Sequence, residues 1–104
     1  MNLNKLMKQA QKMQEQMART QAELEEKTVE ITAGGGKITV VANGAGDVVS
    51  IKIAPEVVDP EDVEMLEDLI LSGVQQAIAK GKEMAGSEMS KLTGGLNLPG
   101  GLGI

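Results

Sequence analysis

The chain has 104 residues, 41% of them apolar, with no Phe, Tyr, Trp, Cys or His and a formal charge of −5 at neutral pH. That length fits one domain, and a core without aromatics must be assembled from Val, Ile, Leu, Met and Ala, which leaves a lone copy marginal and favours oligomerisation. The missing Cys and His exclude disulfides, thiolate or imidazole zinc sites and His-based acid–base catalysis, no apolar run approaches the roughly 18 residues of a membrane span, and Met1-Asn2-Leu3-Asn4-Lys5 leads into polar helix and not into a secretory signal.

The first predicted element is a helix from about Asn2 to Glu26, rich in Lys, Gln, Met, Ala, Glu and Leu and free of Gly and Pro. Leu3, Leu6, Ala10, Met13, Met17, Thr20 and Leu24 recur at alternating steps of three and four, the a/d seam of a heptad. Such a seam requires a partner surface. The expectation is a second copy of the chain, with Leu3, Leu6, Ala10, Met13, Met17 and Leu24 as its dimer contacts. The same stretch is basic within an acidic protein, since residues 1–22 carry four cations against one acid. Lys5, Lys8 and Lys12 fall at i, i+3 and i+7 and so share one face, and Arg19 continues it one heptad beyond Lys12. One reading of this face is a solvated coiled-coil flank; the other is phosphate contact, which in a dimer would engage two such sets of cations and depend strongly on salt.

From Thr28 the apolar period changes to two. Val29, Ile31 and Ala33 predict a first strand, Ile38, Val40 and Ala42 a second, and Val49, Ile51 and Ile53, facing inward, a third. Gly34-Gly35-Gly36 and Asn43-Gly44-Ala45-Gly46 are the turns between them. Placing Ile31 opposite Val40 demands an even loop such as Gly34–Lys37, because a one-residue slip would turn Ile38 and Val40 to the polar face. The unit expected is a three-stranded antiparallel meander.

Ala54-Pro55-Glu56-Val57-Val58 connects to a second helix, with Asp59 expected as N-cap, Pro60 at the first helical position and Asp62 as capping partner. Val63, Leu66, Leu69, Ile70, Val74, Ala77 and Ile78 form a stripe to cover the sheet, and Gly73 and Gly81 weaken the helix unless close packing uses them. The helix is expected to run on through Met84 and Met89, with Gly86-Ser87 as its weak point. The fold class is therefore α+β: a long N-terminal helix, a three-stranded antiparallel meander, a long C-terminal helix and a flexible Gly-rich tail, assembled as a homodimer. Residues 1–93 form the single domain, and 94–104, with Gly94, Gly95, Pro99, Gly100, Gly101 and Gly103, the tail.

Motifs for chemistry are scarce. Gly34-Gly35-Gly36-Lys37 resembles the end of a phosphate loop, but Ile38 and a strand follow where Ser or Thr and a helix are needed. Gly44-Ala45-Gly46-Asp47 lies between strands and fails as a dinucleotide fingerprint on the same ground. Asp59, Glu61, Asp62, Glu64, Glu67 and Asp68 lack EF-hand spacing and read as a helix cap and a solvated acidic face. The methionines read as core filler. The expectation is a protein with no catalytic residues, no metal, no cofactor, no small-molecule substrate and no membrane partner.

Met7-Lys8-Gln9-Ala10-Gln11-Lys12-Met13-Gln14-Glu15-Gln16-Met17 resembles the N-terminal helix signature of the YbaB/EbfC nucleoid-associated proteins. Asn43-Gly44, Ile51-Lys52-Ile53 and Glu64-Met65-Leu66-Glu67-Asp68-Leu69 match the same family in order, and Leu96-Asn97-Leu98-Pro99-Gly100 resembles its Gly/Pro-containing end, so the likeness spans nearly the whole chain. The resemblance implies a small, cytoplasmic, nucleoid-associated bacterial protein, homodimeric with projecting helices, that binds duplex DNA and in some members influences gene expression. Its DNA contacts would carry over to Lys5, Lys8, Lys12 and Arg19, and in the C-terminal helical region to Lys80, Lys82 and Lys91. There Ala79-Lys80-Gly81-Lys82 stands where some relatives carry adjacent arginines, and Lys lacks the bidentate fork that reads guanine, so phosphate contact outweighs base reading. The alternative is a helical protein-interaction module or adaptor with no direct DNA role.

Overall fold

A computed structural model describes residues 2–94, in the order α1 (Leu3–Glu26), β1 (Thr28–Ala33), β2 (Ile38–Asn43), β3 (Val48–Ile53), a short 3-10 turn (Pro55–Val57) and α2 (Val63–Gly94). The expected tail therefore lies outside the described residues, apart from Gly94, which ends α2. Asn2 starts α1 as its N-cap, its side-chain Oδ1 accepting from the Lys5 N–H at 3.3 Å. At the other end Lys27 turns to extended backbone and the chain enters β1 at the next residue, with no loop between helix and strand.

The sheet is an antiparallel meander with β2 in the middle. Ile31 pairs with Val40 and Ala33 with Ile38 across the even loop Gly34–Lys37, the register that the apolar alternation demands. Gly34, Gly35 and Gly36 all adopt positive φ there, a run that only glycines make without strain. Ile38, Val40 and Ala42 are fully buried and form the core with Ala77 of α2, flanked by Val29, Ile31, Ala33, Leu66, Leu69, Ile70 and Val74.

Two glycines set how closely α2 lies on β2. A Cβ on Gly73 would stand 2.9 Å from Val40 Cγ2, and one on Gly81 would collide with the Asn43 carbonyl oxygen. Gly73, Ala77 and Gly81, one turn apart, are thus the seat of the sheet in the helix, and close packing offsets their helix-propensity cost. Gly86-Ser87 does not interrupt α2, which continues to Gly94.

Three local expectations are corrected. Asp59 does not cap α2: its carboxylate accepts from the Glu61 N–H at 2.9 Å and its carbonyl from the Asp62 N–H at 2.9 Å, closing a turn that includes Pro60. The cap is Asp62, whose Oδ1 accepts from the Met65 N–H at 3.3 Å, so the helix starts three residues later than expected, at Val63. In β3, Val49 does not face inward. A bulge places Val48 opposite Ala42 and Ser50 opposite Val41, which leaves Val49 as the extra residue, 58% exposed. Ile51 and Ile53 do lie opposite Val40 and Ile38, on the helix side of the sheet. They stay exposed, at 42% and 37%, because α2 lies over β1 and β2 and reaches little of β3.

The molecule is long, 71 × 27 × 16 Å, with a radius of gyration of 19.8 Å. A compact domain of this length would have about 13 Å. The excess comes from the two long helices, of 24 and 32 residues, and α1 is exposed from Leu3 to Lys12.

Candidate nucleic-acid interface

The basic residues of α1 and its apolar seam are on different sides of the helix. At about 100° per residue, Lys5, Lys8, Lys12 and Arg19 fall within a band of about 60°, and its centre lies about 140° from the centre of the seam. The helix can therefore pack through one side and present its cations on the other. All four are exposed, and none belongs to an ion pair among the described residues. They extend over about 21 Å of helix axis, at 1.5 Å per residue.

The same face changes sign toward the sheet. Glu23 and Glu26 project from the band that carries Lys5 to Arg19, and Glu15 sits at its edge. Cationic surface is thus confined to the part of α1 remote from the sheet.

The seam divides in two. Leu24, expected as a contact with a second chain, is 4% exposed and buried within its own chain against Gly44. The expectation fails there because the turn after β2 returns to the end of α1: the Gly44 N–H donates to the Leu24 carbonyl at 2.8 Å, and Asn43 Nδ2 to the Glu25 carbonyl at 3.2 Å. Met13 and Met17 line a groove with Gly86, Met89, Ser90 and Leu92 of α2, so they too have an intrachain neighbour. Periodicity could have found this partner, since Ala85, Met89 and Leu92 recur at steps of four and three on α2. The distal seam stays open, with Leu3 67% and Leu6 46% exposed and Ala10 exposed beside them.

The cations of α2 are less available than those of α1. Lys80 Nζ donates to the Glu30 carbonyl at 3.4 Å, and Lys91 lies 4.0 Å from Glu88, which also pairs with Lys27 at 3.3 Å. Lys82 is exposed beside the Gly46 turn, with Cε 3.4 Å from where a Cβ of that glycine would be. The structure does not gather Lys80, Lys82 and Lys91 into one unpaired row as it does Lys5, Lys8, Lys12 and Arg19.

Elsewhere the chemistry is sparse. Gly34–Lys37 is a hairpin turn whose lysine pairs with Glu56. Asp59 and Asp62 are occupied by backbone N–H groups, and no group of three or more carboxylates among the described residues could hold a metal ion. No described helix is long and apolar enough to cross a membrane.

Comparison with known proteins gives a consistent result. The model of the YbaB/EbfC DNA-binding family matches residues 1–96. The chain is 60% identical over 99 residues to a nucleoid-associated protein of Alkaliphilus metalliredigens, covering 95% of this chain and 87% of that one. A nucleoid-associated protein of Clostridium kluyveri is 63% identical over 99 residues, with the same coverage. The fold is similar to that of the crystal structure of an uncharacterized protein from Helicobacter pylori, with a TM-score of 0.68, 20% identity and coverage of 92% of this chain and 97% of that one.

Proposed function

The chain belongs to the YbaB/EbfC DNA-binding family and is a nucleoid-associated protein, not an enzyme, and on that premise we propose that it grips duplex DNA as a homodimer, chiefly through phosphate contacts from the basic face of α1. The observation that carries this reading is the unpaired, exposed row Lys5, Lys8, Lys12 and Arg19, turned away from the seam by which α1 packs. Unpaired surface cations displace condensed counterions from duplex DNA, while the net charge of −5 opposes indiscriminate adhesion of the rest of the molecule. With no aromatic side chain to stack on bases and no arginine fork beyond Arg19, the contacts position the duplex more than they read its sequence. Lys82 and, once freed from their intrachain partners, Lys80 and Lys91 supply secondary contacts. The setting for this activity is the cytoplasmic nucleoid, with roles in its organisation and in gene regulation.

A second copy is supported by the apolar surface that α2 leaves uncovered. Val48, Ile51 and Ile53 of the edge strand β3 are exposed, as are Val63 and Leu71 of α2, and an open strand edge with an apolar face invites pairing. The distal seam residues Leu3, Leu6 and Ala10 are a further contact. Sedimentation tests this part: a dimer has twice the 10.9 kDa of one chain, and a single-chain mass at micromolar concentration would refute it.

The DNA reading is tested by duplex affinity across a salt series for wild type and for Lys5→Glu/Lys8→Glu/Lys12→Glu. Wild type should show a log–log slope of about −0.9 per neutralised phosphate, and the triple variant a shallower slope and much weaker binding at low salt. Identical binding by the two proteins, or none by wild type at low salt, overturns the reading.

A further inference from the structure

The helices α1 and α2 pack against each other, and beyond the sheet the groove between them is lined by thioethers on both sides. Near the sheet, α1 is held by polar bonds: the Gly44 N–H to the Leu24 and Lys27 carbonyls, at 2.8 and 3.1 Å, Asn43 Nδ2 to the Glu25 carbonyl, and Lys27 to Glu88. Further toward the N terminus, Met13 and Met17 line a groove of about 220 Å³ with Gly86, Met89, Ser90 and Leu92. The chain has no aromatic residue to stiffen this contact and no cysteine to intercept an oxidant. Met13 and Met89 are half-buried, and Met17 is 38% exposed, so water and small oxidants reach the groove.

We propose that Met13, Met17 and Met89 form an oxidation-responsive contact, in which conversion to sulfoxides by a peroxide releases the middle of α1 from α2. In each step the thioether sulfur attacks the peroxide O–O bond. An S–O bond forms as the O–O bond breaks, sulfur loses two electrons, and the proton on the transferred oxygen passes to the departing hydroxide, which leaves as water. The sulfoxide oxygen is a strong acceptor that draws water, and apolar walls supplied by Leu92 and the neighbouring thioethers hold it less well than they hold sulfur. Met7 and Met65 are exposed and line no part of the groove, so they are built-in controls. The proposal goes beyond the DNA reading and does not depend on it, because its readout is the packing of α1.

The experiment treats the full chain with hydrogen peroxide, locates sulfoxides by peptide mass spectrometry and follows amide hydrogen exchange over residues 13–24. Exchange there should accelerate by about tenfold when positions 13, 17 and 89 are oxidised, and methionine sulfoxide reductases should reverse it. In the variant Met13→Leu/Met17→Leu/Met89→Leu, which conserves volume, peroxide should still oxidise Met7 and Met65 but leave exchange unchanged. Should the triple variant not fold, Met17→Leu alone should reduce the acceleration. Wild type that carries the three sulfoxides at its original exchange rate overturns the proposal. So does a leucine variant that loosens as wild type does, or a wild type whose three thioethers stay reduced while Met7 and Met65 oxidise.

Discussion

Leu24 lies on Gly44 so closely that a methyl group on the glycine would stand 2.8 Å from Leu24 Cβ and Cδ2 and 2.9 Å from its carbonyl oxygen. This contact joins the last turn of α1 to the turn after β2, and the Gly44 N–H reinforces it with a bond to that same carbonyl. Gly44→Ala should therefore act as an overpacking mutation at a helix–sheet junction, destabilising the fold by about 1–3 kcal/mol. Urea denaturation should show a lower midpoint at an unchanged m-value.

Two glycines of α2 should respond in opposite directions to the same change. Nothing lies within 4 Å of a Cβ at Gly86, so Gly86→Ala gains helix propensity and should stabilise by about 0.5–1 kcal/mol. Gly81→Ala drives a methyl into the Asn43 carbonyl and should destabilise by more than about 1 kcal/mol, despite the same propensity gain. Thermal melts of the two variants alongside wild type measure the contrast.

The displaced helix start makes its own distinction. Asp62→Ala removes the side chain that accepts from the Met65 N–H and should cost about 1 kcal/mol, as N-cap loss does. Asp59→Ala removes only an exposed turn bond to Glu61 and should cost less. Chemical denaturation of both single variants would show Asp59 as the larger effect if that residue were the true cap.

Glu15 interrupts the positive row of α1 between Lys12 and Arg19. Glu15→Lys should tighten duplex binding and steepen the salt dependence by about 0.9 in log–log slope for each phosphate newly engaged. Glu15→Gln removes repulsion without adding a cation, so affinity should rise with little change in slope. Fluorescence anisotropy with a labelled duplex, repeated at several salt concentrations, separates the two effects.

Much of this architecture is legible from periodicity and turn chemistry. Parity demands an even loop between the first two strands, which the observed pairing of Ile31 with Val40 meets, and the Gly34–Gly36 run marks the hairpin. Periodicity says which side of an element is apolar, however, and not what lies against it. That is why Leu24, Met13 and Met17 read as contacts to another chain when Gly44 and the Met89 region of α2 are their neighbours. The bulge at Val49 was hidden for a related reason. Asn43 Oδ1 accepts from the N–H groups of Ala45 and Asp47, and that local network accompanies an extra residue in β3 which strict alternation cannot register. In the candidate site, the row Lys5, Lys8, Lys12 and Arg19 was readable directly. The engagement of Lys80 with the Glu30 carbonyl and of Glu88 with Lys27 was not, because it depends on groups meeting across elements far apart in the chain, whereas Lys91 and Glu88 are three residues apart on one helix and their pairing was open to reading.

The absence of a loop between α1 and β1 has a mechanical consequence. Lys5 lies about 33 Å along the helix axis from Lys27, where the helix becomes strand. A tilt of about 10° at that junction displaces Lys5 by roughly 6 Å, close to two nucleotide steps of about 3.4 Å along one DNA strand. The angular precision with which Asn43 and Gly44 clamp the base of the helix therefore fixes where its tip lies, and on the proposed DNA reading it sets the phosphate register. If the lysines grip phosphates as proposed, which ones they meet is decided less by the lysines than by two small residues at the far end of the arm.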